Sequence, residues 1–298
     1  MLRNSHFARP RLACEIAPDR VIAARAADSR QVLELCSTAE LGPGCVVPDL
    51  TENNVRQRDA LVGALGRALE QAGGGRSRDV IAILPDAAVR VVLLDFETLP
   101  EKPEEAEGVV RFRLRKSLPF DIDKATVSYH AHKTEGGVRV TTAVALKNVI
   151  EDYEAVFLEA GCSPGVVVPS MIAALGGAPG EKGTLVIKVD AHSTSIAILA
   201  KQQLLLFRTL ENGRGSAISG EQLAEDVYPS VVFFQDTYST HIEEVYLAGI
   251  SDVAGARPAL AAQTGAELKE LVSASQLGLG GGSIPKWRMA GVVGALLS

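Results

Sequence analysis

Apolar residues along this chain fall into two rhythms, and the order in which the rhythms alternate outlines the fold. Leu12–Ile16, Val21–Arg25 and Val32–Cys36 are short runs of apolar and β-branched residues separated by polar turns, which predicts three strands. A helical period follows from about Val55 to Ala72, with Leu61, Val62, Leu65 and Leu69 on one face. Gly73-Gly74-Gly75 stops it before a strand over Val80–Leu84. The same succession returns later. Strands are predicted at Thr184–Val189, Ser195–Ala200 and Leu204–Leu210, then a helix over Gly220–Tyr238, a strand over Glu244–Ala248, a helix near Val253–Gln263 and a strand over Leu268–Val272. Three strands, helix, strand, helix, strand, met twice, predicts an α/β protein of two related lobes.

A different module interrupts the first copy. It reads as a strand (Val89–Phe96), a helix (Pro103–Leu118), two strands joined at Gly136-Gly137 (Ala125–His132 and Val138–Leu146), a helix (Asn148–Gly161) and a strand (Gly165–Val168). Its first helix is well marked. Pro103 suits the first turn, and Glu104, Glu105 and Glu107 meet the positive end of the dipole. Arg111, Arg113, Arg115 and Lys116 fill the last turns, and Pro119 ends it. Those charges therefore read as helix electrostatics rather than a phosphate-binding patch. The predicted division is 1–85 for the first half, 86–168 for the inserted α+β subdomain, and 169–298 for the return to the first lobe and the second half.

Composition narrows the function. With 30 Lys+Arg against 36 Asp+Glu the net charge is −6, which argues against a dedicated nucleic-acid binder. Although 47% of the 298 residues are hydrophobic, no run of 18 is apolar, and the first residues lack the apolar stretch of a secretory leader. The expectation is a cytoplasmic protein. Cys14, Cys36, Cys45 and Cys162 are scattered without a C-x-x-C pair and read as buried thiols. His130 and His132 share one face of a strand, but two ligands without a third predict a solvent-facing strand and no metal site. Gly278–Ser283 is glycine-rich without the spacing of a dinucleotide fingerprint, and reads as a loop.

The run Leu99-Pro100, an acidic helix, Arg111-Phe112, Ser117-Leu118-Pro119-Phe120-Asp121 and Tyr129 resembles the PilM family, actin-like proteins of type IV pilus assembly. Asp152-Tyr153 with Glu159-Ala160-Gly161, Ser193–Leu199, Ser230–Phe234, Val245–Gly249 and the close at Trp287–Leu297 extend the resemblance over nearly the whole chain. It implies an actin-like fold, a duplicated ribonuclease-H-like architecture in which 86–168 is the subdomain called 1C. It also implies a partner, the N-terminal cytoplasmic peptide of a PilN-like inner-membrane protein, held in a groove of the first half at or beside the insert. Membrane association would then be indirect, and self-association into a homo-oligomer is compatible with it. A GspL-like module of type II secretion is the nearest alternative. Proteins of that kind continue into a transmembrane helix, and here the chain stops at Ser298.

Actin-like proteins bind ATP with Mg²⁺ between two acid–glycine hairpins, where glycine lets backbone N–H groups reach the phosphates. Against the family pattern D-I-G-x-x-x-V-K stand Glu15-Ile16-Ala17-Pro18-Asp19-Arg20-Val21-Ile22. Glycine has become Ala17, and Pro18 has no N–H to donate. Against D-I-G-x-x-S-T stand Lys188-Val189-Asp190-Ala191-His192-Ser193-Thr194, with a base at the acid position and a carboxylate at the glycine. Leu247-Ala248-Gly249-Ile250 keeps one of two glycines. Ser193, Thr194 and Gly249 are thus the remnants of a nucleotide cleft. The expectation is a pseudo-ATPase scaffold with no catalytic residue and no cofactor, with an ATP-binding switch as the alternative.

Overall fold

The computed structural model describes residues 9–73, 79–278 and 284–298. Strand parity organises it. In the first half, β1 (Leu12–Ala17), β2 (Arg20–Ala26) and β3 (Leu33–Glu40) form an antiparallel meander, α1 (Arg58–Gln71) crosses, and β4 (Asp79–Leu84) joins β1 in parallel. The insert then supplies β5 (Arg90–Phe96), α2 (Pro103–Leu114), β6 (Ala125–Thr134) and β7 (Gly137–Leu146). After it come α3 (Lys147–Glu159), β8 (Ser163–Pro169) and α4 (Ser170–Leu175).

The second half repeats the plan with β9 (Thr184–Val189), β10 (Ser193–Ala200), β11 (Gln203–Glu211), α5 (Gly220–Tyr238), β12 (Glu244–Ala248), α6 (Val253–Thr264) and β13 (Glu267–Glu270). The terminal helix is α7 (Ala290–Leu297). The first sheet runs β3-β2-β1-β4-β8 and the second β11-β10-β9-β12-β13, strand for strand the same order. The two-lobe actin-like architecture is therefore present.

The insert is smaller than 86–168. Only β5, β7 and β6 make its sheet, and α2 covers one face through Val110 and Leu114. β8 instead pairs in parallel with β4 along its whole length, from Asp79↔Ser163 to Leu84↔Pro169. Val149, Tyr153, Val156 and Phe157 of α3 lie in the first-lobe core beside Leu61 and Leu65 of α1. The reason is the repeat itself: β4–α3–β8 is the crossover that β12–α6–β13 forms in the second half, and the insert sits inside it. Helix limits also shift. Val55 forms a bridge with Val46 instead of opening α1, and Leu114 rather than Leu118 closes α2. Gly74, Gly75 and residues 279–283 of the glycine-rich loop lie outside the described residues.

Four apolar clusters result. One lies under α1 and α3, one under α5 and α6, and one inside the insert. The fourth joins the lobes: Ala13, Ile22 and Ile81 of the first sheet share it with Val186, Ala197 and Ala248 of the second and with α4 and α7. No helix among the described residues is long and apolar enough to cross a membrane.

Candidate functional site between the lobes

β1 and β9 each turn alternate residues toward the other lobe. Leu12, Cys14 and Ile16 pack outward under α1 and α3, so Ala13 and Glu15 face inward. Leu185, Ile187 and Val189 pack outward under α5 and α6, so Val186 and Lys188 face inward. The repeat thus sets an acid and a base at matching positions of two facing sheets. Lys188 Nζ lies 3.4 Å from Glu15 Oε1 and donates a 2.7 Å hydrogen bond to Asp190 Oδ2. Ser170 Oγ, at the head of α4, also donates to Glu15. Glu15 is packed against α7, where a Cβ on Gly291 would collide with its carboxylate.

Two further links cross the same gap. Asp86, just beyond β4, accepts hydrogen bonds from the Met171 amide at 2.7 Å and from Ser195 Oγ of β10 at 2.8 Å. Arg20, at the start of β2, holds Asp19 at 2.8 Å and reaches 3.8 Å from Asp190 Oδ1. Glu15, Arg20, Asp86, Lys188 and Asp190 are all buried.

Electrostatics decide which of these groups keep their charge. Burial works against the Lys188 ammonium, but Asp190, Glu15 and Asp86 together outweigh it and hold its pKa above the ordinary lysine range. Burial likewise opposes the Arg20 charge, and Asp190, Asp19 and Glu15 reverse that. Asp86 goes the other way: burial pushes its carboxyl up to about 6, against the pull of Lys188 and the Met171 amide. The result is a buried cluster of opposite charges in which each ion depends on its partners, while Glu15 Oε2, Arg20 Nε and Asp190 Oδ1 make no hydrogen bond among the described residues.

Two cavities flank the cluster. The smaller, about 180 Å³, is lined by Arg20, Asp190, Arg214, Gly215 and Gly249 among others. The larger, about 840 Å³, lies where the 47–51 loop, the start of β5 and the edge strand β11 meet, with Leu50, Val91 and Phe207 beside Asp49, Arg208 and Glu211.

The three remnant residues do not converge on one surface. Ser193 lines the larger cavity, and its carbonyl accepts from the Asp190 amide at 2.7 Å. Thr194 is fully buried, takes a 3.2 Å hydrogen bond from Asn212 Nδ2, and lines neither cavity. Gly249 lines the smaller one; its φ of +90° and its contact with the Val189 backbone admit no side chain, and its amide donates to the Trp287 carbonyl at 2.8 Å. His130 and His132 are exposed on β6. Sequence reasoning did not single out Asp86, Ser170, Ser195 or Asn212 as site residues. Opposite charges at Glu15 and Lys188, equivalent positions of a repeat, were the available signal for the cluster. Asp86 had only its place after the β4 run.

No protein-family model matches this chain, and no curated protein sequence matches it. Among solved structures it is similar to a chain of the PilM-PilN type IV pilus biogenesis complex, with a TM-score of 0.78 at 20% identity over 97% of this chain and 98% of that one. The ethanolamine utilization protein EutJ from Carboxydothermus hydrogenoformans gives 0.58 at 10% identity, covering 96% of this chain and 89% of that one. The cytoplasmic domain of EpsL, an inner membrane component of the type II secretion system of Vibrio cholerae, gives 0.52 at 9% identity, covering 90% and 87%.

Proposed function

We propose that this chain is a PilM-like scaffold of a type IV pilus assembly platform, held at the cytoplasmic face of the inner membrane by the tail of a PilN-like protein, and that it does not hydrolyse ATP. The observation that carries the reading is the full-length likeness to a chain of the PilM-PilN complex, both lobes and insert together. The likeness to EpsL, at lower TM-score and identity, supports a secretion platform less well.

The larger cavity is the place for the tail. Its volume falls within the roughly 300–1,000 Å³ range of ligand sites. It lies where the first lobe, the insert and β11 of the second lobe meet, and β11 is a sheet edge whose backbone can receive an added strand. The lining mixes apolar side chains, Leu50, Val91 and Phe207, with charged Asp49, Arg208 and Glu211.

Mg-ATP does not suit the residues between the lobes. Pro18 offers no amide, and Lys188 carries positive charge where the acid of the pattern would hold Mg²⁺. The Asp190 carboxylate stands where glycine would admit a phosphate. The 180 Å³ beside them is below what ligand sites normally occupy. Lys188–Glu15, Arg20–Asp190 and Asp86–Ser195 instead join the lobes directly.

The test uses a labelled synthetic peptide matching the N-terminal tail of the PilN-like protein of the same genome. Saturable binding is expected, and Leu50→Glu, at a loop residue outside the apolar cores, should weaken it at least about tenfold with Tm unchanged; Phe207→Glu should weaken it too, but with a lower Tm, because Phe207 also packs against the interlobe core. No binding by the wild-type chain, or binding that ignores both substitutions, overturns the assignment. Mg-ATP should leave Tm unchanged, and a dose-dependent rise would refute the nucleotide-free reading.

A further inference from the structure

The edge of the second sheet has a parity that its closing turn fixes. β10 and β11 run antiparallel, with Thr194↔Leu210, Ser195↔Thr209 and Ile196↔Arg208 as partners. One residue beyond β11, the Asn212 amide donates to the His192 carbonyl at 2.8 Å, so that pair is a hydrogen-bonded one. Hydrogen-bonded and open pairs alternate along an antiparallel ladder. Leu210 and Arg208 therefore bond β10 through their backbones, and the N–H and C=O groups of Phe207, Thr209 and Glu211 point away from it. Among the described residues no backbone hydrogen bond outside the sheets uses those groups. All three residues line the larger cavity, and so does Val91 of β5, an edge strand of the insert sheet.

The open run is bounded at both ends. Toward the start of β11 the register shifts at Ile198/Leu199, and the Leu205 carbonyl accepts from Tyr238 Oη of α5 at 3.3 Å. At the other end Asn212 is tied back, its side-chain amide donating to Thr194 Oγ1 and to the Gly215 carbonyl. Between them the strand is regular. Phe207 packs on the interlobe core and Thr209 Oγ1 lies 3.4 Å from Ser195 Oγ, whereas Arg208 reaches Ser230 of α5 on the other face. No proline and no lysine occurs along β11 to discourage pairing.

We infer that the tail assigned to this cavity binds as an added strand on β11, extended over about five residues, with its backbone paired to Phe207, Thr209 and Glu211. The inference rests on that assignment and adds the conformation of the tail and the chemistry it needs. Every second residue of the stretch must keep a free amide, so proline is excluded there. An amphipathic helix laid in the cavity is the competing mode, and it asks nothing of the β11 backbone.

Backbone chemistry tests it. Each amide of the synthetic tail peptide is N-methylated in turn, and binding to the whole chain is measured. Affinity should fall at least about tenfold at alternate residues and hold at the residues between. On the protein, Thr209→Pro should weaken the unmodified tail at least about tenfold with Tm nearly unchanged, since the amide it removes makes no bond to β10. Thr209→Val should bind as the wild type does, which separates backbone from side chain. Arg208→Pro should lower Tm, because its amide belongs to the ladder with β10. Losses spaced three or four residues apart overturn the strand in favour of a helix. A tail that is weakened by Leu50→Glu but tolerates methylation throughout, or that keeps full affinity for Thr209→Pro, also overturns the strand while the cavity assignment stands. A Tm lowered as far by Thr209→Pro as by Arg208→Pro overturns the parity itself. A wild-type chain that binds no tail removes both the assignment and the strand.

Discussion

At the scale of single residues the interlobe cluster is a set of ions that cannot be removed one at a time. Lys188 is surrounded by Glu15, Asp190 and Asp86, all three buried. Lys188→Met should therefore cost on the order of 3–5 kcal/mol in urea unfolding, because it strands buried carboxylates. Adding Glu15→Gln should recover part of the loss, and a double-mutant cycle with no coupling would show that the two do not act as a pair.

Asp86 gives a pH dependence of definite sign. Its carboxyl is raised from the ordinary 3.8 to about 6, so the folded chain holds that proton more tightly than the unfolded chain does. Its contribution favours folding below about pH 4 and is lost as pH rises through 6, by a total of order 3 kcal/mol. The stability difference between wild type and Asp86→Asn should accordingly shrink across that window. A difference that grows with pH would mean the carboxylate is stabilised by its surroundings, contrary to its burial.

At the scale of elements, helix contacts set by glycine make the sharpest contrast. α7 crosses α4 so closely that a Cβ on Gly294 would collide with the Ala173 carbonyl, backbone that cannot swing aside. Gly294→Ala should lower stability by about 1–3 kcal/mol, as overpacking does. Gly108 of α2 has open space around it, so Gly108→Ala should raise stability by about 0.5–1 kcal/mol through helix propensity alone. Thermal unfolding of the two variants checks both signs. The same scale shows what was legible beforehand. Periodicity located most strands and helices, because each has one clear apolar face. It misplaced α3 and β8, since a helix and strand following an insert carry no mark of which sheet they rejoin. Only the pairing with β4 decides that.

The site was legible in part for a related reason. The hairpins at Glu15–Ile22 and Lys188–Thr194 could be matched to a pattern, and their departures from it noted residue by residue. That the departures answer one another across the lobes is a property of tertiary pairing. Ser170 and Ser195 lie 155 and 109 residues from the carboxylates they serve, and Asp86 sits in a short turn with no periodicity to announce it.

At the scale of the whole molecule, the two lobes are joined by a shared apolar core and by three polar links that need no ligand. A protein whose cleft closes on a nucleotide contracts when the nucleotide binds; one whose cleft closes on its own ions has nothing left to contract. Small-angle scattering separates the two cases. At low protein concentration the radius of gyration should stay near the value of a compact 298-residue chain, about 19 Å, with or without Mg-ATP. Replacing both Lys188 and Arg20 by Met should enlarge it, because buried acids of the first lobe, Glu15 and Asp86, then face Asp190 of the second with no cation between them. Contraction of the unsubstituted chain on adding Mg-ATP would show that a ligand, rather than the ion cluster, sets the closed form. No change on removing both cations would leave the shared apolar core and the Asp86–Ser195 hydrogen bond holding the lobes together.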